Sequence, residues 1–280
     1  MRHLQRFRDL AADYDGFILD LWGVIHDGVS PYPDAAECLA ELRQANKRVV
    51  MLSNAPRRAS AIRTQLDGMG IAPTQYDGIM TSGEATHLML RNRPDPFYAS
   101  LGTRVYHLGP ERDRNVIDGL GLVLMPEPEG AEFLLNTGPD DHASPTDPAA
   151  FDPVLTRAAA AGLAMICANP DLEVIRGGVR VICAGTLAVR YTALGGTVRS
   201  LGKPDPAIYV PTLAMLGATR VLAVGDALRT DIAGAAAVGL DACWVLGGLH
   251  GGHNAGPDAV EAEALAAGLV PLATVPHFVW

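Results

Sequence analysis

Asp20 lies in the apolar run 16–25, and Trp22 stands two places further on. A carboxylate delivered by a buried strand to the edge of a sheet is where an α/β enzyme keeps a nucleophile or a metal ligand. Three more strand ends carry complementary groups: Ser53-Asn54, Lys203 and Asp226. Gathered in one place, they could act on an anionic group such as a phosphoryl. An attacking Asp20 would be repelled by that anion. A divalent cation with hard oxygen ligands cancels the repulsion, and Asp20 and Asp226 could both reach one ion. Lys203 would add a fixed positive charge, while Ser53 Oγ and the Asn54 backbone N–H would donate to the equatorial oxygens.

These residues need a sheet to position them. Short apolar runs alternate with Ala- and Leu-rich stretches, which argues for βαβ units and a parallel sheet. Strands are expected at 16–21, 48–52, 78–80, 163–167, 179–183, 221–224 and 242–246. Helices are expected between them, among them Pro33–Gln44, with Leu39 and Leu42 on one face, and Pro206–Leu216, which the preceding Asp205 could cap. Residues 84–162 differ: they hold several prolines, the charged segment Arg91–Asp95 and strand-like runs of their own, Val105–Leu108 and Glu132–Asn136. The fold class expected is therefore α/β. A Rossmann-like parallel-sheet core spans residues 1–83 and 163–280, with a smaller α/β domain inserted over 84–162.

At 280 residues and 49% hydrophobic, the chain has ample material for a buried core. Its net charge of −9 disfavours nucleic acid or an anionic membrane as the main partner. Cys38, Cys167, Cys183 and Cys243 are scattered without a C-x-x-C, as free thiols of a cytoplasmic protein would be. The segment 1–14 reads as a short amphipathic helix rather than a signal peptide, and no apolar stretch reaches the ~18 residues of a membrane span.

Four segments, in order, resemble the haloacid dehalogenase superfamily of aspartate-nucleophile hydrolases. Phe17-Ile18-Leu19-Asp20 is similar to its first motif, Val50-Met51-Leu52-Ser53-Asn54 to its second, Leu201-Gly202-Lys203-Pro204 to its third, and Val224-Gly225-Asp226 through Thr230-Asp231 to its fourth. Thr81-Ser82-Gly83-Glu84-Ala85, Asn169-Pro170-Asp171 and Ala184-Gly185-Thr186-Leu187 also resemble class IIA members, the NagD-like and nitrophenylphosphatase branch. The resemblance implies a type C2 cap between the second and third motifs and Mg²⁺ as cofactor. It implies Asp20 as nucleophile and Lys203 as the fixed positive charge that neutralises it. Asp226 and the backbone carbonyl of Trp22 would join Asp20 on the metal, and Asp231 would orient the metal site from behind. The substrate implied is a small phosphorylated metabolite, a sugar phosphate or a nucleotide monophosphate. Class IIA members commonly dimerise through the cap, so a homodimer is one expectation.

Taken singly, Ser53-Asn54 reads as an ordinary helix cap and Asp231 as a cap on a helix running to Gly239. Taken together, the chemical reading wins. Trp22 departs from the pattern. Phosphatases of the superfamily carry an acid two residues after the nucleophile, and it protonates the leaving oxygen and then activates water. Indole does neither, and general acid–base catalysis is worth about 10²- to 10⁴-fold. The loss bears on sugar alkoxides more than on acyl or nitrophenyl phosphates. It also leaves open hydrolysis of another bond (phosphonate or carbon–halogen), or a lapsed binder of a phosphorylated ligand. His26 is read as orienting the loop, and Glu84, Asp140 or Asp141 as acids that could enter from the cap.

Weaker signals remain. Arg57 and Arg58 are either a solvated face or, for Arg57, a contact to an anionic substrate. His250 and His253 lie in a Gly-rich segment read as a loop rather than a metal site. The apolar terminus 275–280 packs either on the core or on a partner chain.

Overall fold

The structure, a computed structural model, describes residues 1–140, 146–176, 179–248 and 256–280. The chain opens with strands Arg2–His3 (β1), Gly16–Leu19 (β2), Arg48–Ser53 (β3) and Gly78–Thr81 (β4). Seven follow: Arg104–Leu108 (β5), Val123–Leu124 (β6), Phe133–Asn136 (β7), Ala164–Cys167 (β8), Glu173–Arg176 (β9), Val179–Ile182 (β10) and Val198–Ser200 (β11). Val221–Gly225 (β12), Asp241–Val245 (β13) and Ala273–Val275 (β14) complete the set. Two compact units result, one of residues 1–53, 62–80 and 203–280, the other of 54–61 and 81–202.

The first unit is built on a seven-stranded sheet in the order β1-β14-β13-β12-β2-β3-β4, with β2 parallel to both β12 and β3. Every residue of β2 and of β12 is buried, the pattern of strands covered on both faces. From β2 the chain winds outward through β3 to β4, and from β12 it winds the other way, through β13 and β14. The strand order therefore reverses between β2 and β12, the switch point at which open α/β sheets place their ligands. The helix Ala35–Gln44 buries Leu39 and Leu42 as the pattern requires. The helix Pro206–Leu216 starts on Asp205, whose side chain accepts the Ala207 N–H at 2.8 Å, and ends on Gly217 in the left-handed conformation. The architecture is the Rossmann-like α/β class expected.

The second unit has its own parallel sheet, in the order β11-β8-β7-β5-β6, and an antiparallel ribbon of β9 with β10. One core cluster gathers Leu134, Leu155, Met165, Leu187 and Tyr191, and another Leu90, Tyr98, Phe133, Leu135 and Ile166. This sheet moves the expected boundary. Residues 163–202 belong to the inserted unit, not to the core, because β8 pairs with β7 and β11 pairs with β8. The run 179–183, read as a core strand, is one arm of the ribbon. An apolar run announces a buried strand but not the sheet that receives it.

The termini differ from expectation as well. Only Arg8–Ala11 is helical in the first fourteen residues, and β1 instead adds to the sheet edge beside β14. The C-terminal segment packs on its own unit: Phe278 is buried, its ring 4.8 Å from that of Phe7, whose N–H donates to the Val279 carbonyl. No helix among the described residues is long and apolar enough to cross a membrane.

Leu222 is fully buried in β12, facing the pairing partner Phe17. Leu222→Ala is expected to lower unfolding free energy by about 2–5 kcal/mol, read from urea denaturation of the whole chain.

Candidate active site

The two strands at the switch point end in carboxylates. Asp20 leaves β2 with its N–H donating to the Val224 carbonyl at 2.9 Å, and Asp226 follows β12 directly. Asp231 is supplied by a one-turn π-helical segment, Leu228–Ile232, a distortion that often marks functional positions. These three each offer an oxygen, and all three oxygens lie within 4.8 Å of one another. Lys203 reaches the same place from the turn before Asp205. Its Nζ donates to Asp20 Oδ1 and to Asp231 Oδ1, both at 2.6 Å. Asp20 is 8% exposed, Asp226 and Asp231 5% each and Lys203 3%, so the cluster has been taken out of water almost entirely.

Burial of that charge has electrostatic consequences. Three carboxylates face one ammonium, leaving two negative charges uncompensated. Burial, with the Asp231 and Asp226 carboxylates nearby, pushes Asp20 well above the usual carboxylate range against the pull of Lys203. Burial also works against the Lys203 ammonium, but Asp20 and Asp231 outweigh it and hold Lys203 well above the usual lysine range. Hard oxygen donors with surplus negative charge are what a divalent cation such as Mg²⁺ fits. Asp231 uses one oxygen on Lys203 and the other on the Ala227 N–H at 3.1 Å, which suits it to orienting Lys203. Asp20 and Asp226 are then the carboxylates suited to the cation.

The backbone closes tightly on Asp226. A Cβ at Gly23 would lie 2.1 Å from Asp226 Oδ2, and one at Gly248 2.4 Å from it. Gly23 also has φ +87°, open to glycine and strained for other residues. The indole of Trp244 donates to the Asp226 carbonyl at 2.9 Å. Gly23 and Trp244 were not singled out from the sequence: Gly23 carried only the general signal of a glycine near a strand end, and Trp244 was one more apolar residue in an expected strand. Gly248 belongs to the Gly-rich stretch 247–253, read as a loop just past a strand that could line the cleft or a subunit contact.

Trp22 is folded back on its own loop. Its ring lies edge-on to that of His26, with centroids 5.8 Å apart, and it covers Gly28, where a Cβ would come within 2.3 Å of the indole. His26 Nδ1 accepts the Gly28 N–H at 2.9 Å, so in the neutral ring the proton sits on Nε2. Asp27 accepts the Val29 and Ser30 N–H groups, which hold its carboxyl below the ordinary range. Both residues therefore shape the loop, the role read for His26 in the sequence.

Ser53, buried, ends β3 in the first unit, and Asn54 begins the second. The Asn54 side chain is engaged inside that second unit: its Nδ2 donates to Asp171 at 2.8 Å and its Oδ1 accepts from Ser82 at 3.3 Å. Arg57 lies 3.8 Å from the buried Asp113, an acid the sequence reading passed over. Arg58 grips both oxygens of Glu84, at 2.7 and 3.1 Å. Burial works against the Glu84 charge, but Arg58 and the Ala59 N–H hold its carboxyl below the ordinary range, which does not suit a proton donor. Asp140 lies among the described residues; Asp141, His250 and His253 lie outside them. The four cysteines are free and buried, as expected.

Two family profiles match the chain: haloacid dehalogenase-like hydrolase over residues 17–123 and HAD-hydrolase-like over 200–270. Together they cover all the residues just described at the ends of β2, β3 and β12 and in the turn at Lys203. The D-glycerol 3-phosphate phosphatase of Mycobacterium tuberculosis is 30% identical over 264 residues, 91% of this chain and 68% of that protein. A haloacid dehalogenase-like hydrolase from Brucella suis superposes with a TM-score of 0.84 at 30% identity, covering 99% of this chain and 100% of that one. The glycerol phosphate phosphatase of M. tuberculosis in complex with magnesium gives a TM-score of 0.71 at 28% identity, over 95% of this chain and 76% of that one. The chain belongs to the haloacid dehalogenase-like hydrolases.

Proposed function

We propose that this hydrolase is a Mg²⁺-dependent phosphatase of a small phosphorylated metabolite, working through an aspartyl-phosphate on Asp20. The observation that carries the reading is Lys203 Nζ bridging Asp20 and Asp231 at 2.6 Å each, inside a buried group of three carboxylates at the switch point of a parallel sheet. The similarity to a glycerol 3-phosphate phosphatase, and to one such enzyme in complex with magnesium, supports phosphate as the group and Mg²⁺ as the ion.

Asp20 and Asp226 would hold the cation, with the Trp22 backbone carbonyl as a third oxygen. When bound, it offsets the repulsion between an attacking carboxylate and an anionic phosphoryl group. An Asp20 oxygen attacks phosphorus as the bond to the leaving oxygen breaks, and water then cleaves the aspartyl-phosphate, returning the carboxylate and inorganic phosphate. Lys203 holds the nucleophile in place and opposes the charge gathering on it, and Asp231 keeps Lys203 there. Ser53 Oγ and the N–H of the next peptide, that of Asn54, donate to the phosphoryl oxygens. Arg57, whose Nε lies 3.8 Å from Asp113, is a further candidate for contact with the anionic substrate. The leaving oxygen departs without a proton from position 22, since indole has none to give. Acyl and aryl phosphates, whose leaving groups need no proton, are therefore favoured over alkyl phosphates.

Phosphate release from acetyl phosphate, nitrophenyl phosphate and a panel of sugar phosphates and nucleotide monophosphates tests this. Turnover is expected with Mg²⁺ and lost with EDTA. Asp20→Asn is expected to lower kcat by at least about 10³-fold with its fold intact by circular dichroism; full turnover in that variant would sink the reading. Trp22→Asp is expected to raise kcat on alkyl phosphates by about 10²-fold or more and on acetyl phosphate by less, the gain there coming only from activation of the water that cleaves the aspartyl-phosphate. Wild-type rates equal on alkyl and activated phosphates would instead mean that another group supplies the proton.

A further inference from the structure

Trp244 is rooted in the core at one end and touches the site at the other. It is 1% exposed and packs with Ala223, Ile232, Ala235, Val260 and Ala264 of the first unit. Its Cα pairs with Gly225 across the ladder, the last residue of β12. Asp226, one residue on, has left the strand. Its carbonyl receives the Trp244 Nε1–H at 2.9 Å, in a position where both groups are buried.

We propose that Trp244 is a positioning residue for the cation. Its rigid ring, locked by apolar packing, fixes the peptide plane of Asp226 and thereby aims the Asp226 carboxylate. The chain runs on from that strand to Gly248, where a Cβ would collide with that carboxylate, as one would at Gly23. Strand β13 and its continuation thus bond the Asp226 carbonyl and pass close to its carboxylate. A phenylalanine would keep an aromatic ring in this core and lose the N–H together with part of the indole's packing, which is why Tm without metal is measured as well. Partners that orient a ligand from behind commonly govern metal affinity by 10- to 100-fold when removed. This inference rests on the metal reading proposed above.

The test is Mg²⁺ binding by isothermal titration calorimetry on the whole chain without substrate, for wild type, Trp244→Phe and Asp226→Asn. Trp244→Phe is expected to weaken binding about tenfold, and Asp226→Asn to abolish it. In thermal melts, Trp244→Phe is expected to shrink the rise that Mg²⁺ gives to Tm, over and above any loss of Tm without metal. Equal Mg²⁺ affinity in Trp244→Phe, with Tm lowered alike with and without metal, would mean a purely structural role and overturn this proposal alone. Wild-type protein that binds no Mg²⁺ would overturn the metal reading and this proposal with it. Should Trp244→Phe fail to fold, the indole Nε1–H resonance of Trp244 in the wild type, assigned by elimination with Trp22→Phe and Trp280→Phe, decides. It is expected to shift in step with Mg²⁺ saturation, and a resonance unmoved by saturating Mg²⁺ would overturn the proposal.

Discussion

The contact on which the rest depends is a single ammonium held between two carboxylates in the absence of water. Lys203 sits between Asp20 and Asp231 and offsets part of the cost of burying both acids. Removing one partner of such a group strands a charge in a low dielectric, which is far more costly than losing a surface ion pair. The arrangement therefore constrains its surroundings. β2 and β12 must be adjacent to bring Asp20 and Asp226 together, the π-helical turn must present Asp231 inward, and the turn before Asp205 must hold Lys203 back against both. The surplus negative charge left after this pairing is what suits the site to a cation.

Much of this could be read in the sequence because apolar runs ending in a charged residue have few explanations. The run before Asp20 and the run before Asp226 were placed within one or two residues of the observed strands. The Asp205 cap was likewise legible, since an acid before a proline-led helix has a mechanism as well as a frequency. The inserted unit was not delimited correctly. Residues 163–167 have the composition of any buried strand, and only the ladder to β7 assigns them to the second sheet.

The support behind the site was less legible still. Trp244 carried no pattern marking it off from its apolar neighbours, because a hydrogen bond from an indole to a backbone carbonyl depends on register and rotamer. Asp113 lies among charged neighbours that give no sign of burial, yet the structure buries it 3.8 Å from Arg57. Arg57 itself was read as either a solvated side chain or an anion contact, and a buried internal carboxylate was a third possibility that composition alone does not suggest. Glycines 23 and 28 were legible as loop residues, but not as the floor beneath a carboxylate and beneath an indole.

Asp20 and Lys203 are 183 positions apart, and the inserted sheet lies wholly between them. Joining chain segments that distant costs loop-closure entropy, which grows only slowly with length but must be met before any native contact repays it. β2 can pair with β3 locally, whereas its other neighbour, β12, is made only after the whole inserted unit. During synthesis the nascent chain therefore carries an aspartate in an apolar strand with no ammonium beside it, and that strand stays open along one edge. Closure of the sheet and assembly of the charged site are the same event. The charged site is absent until Lys203 and Asp226 have both been made.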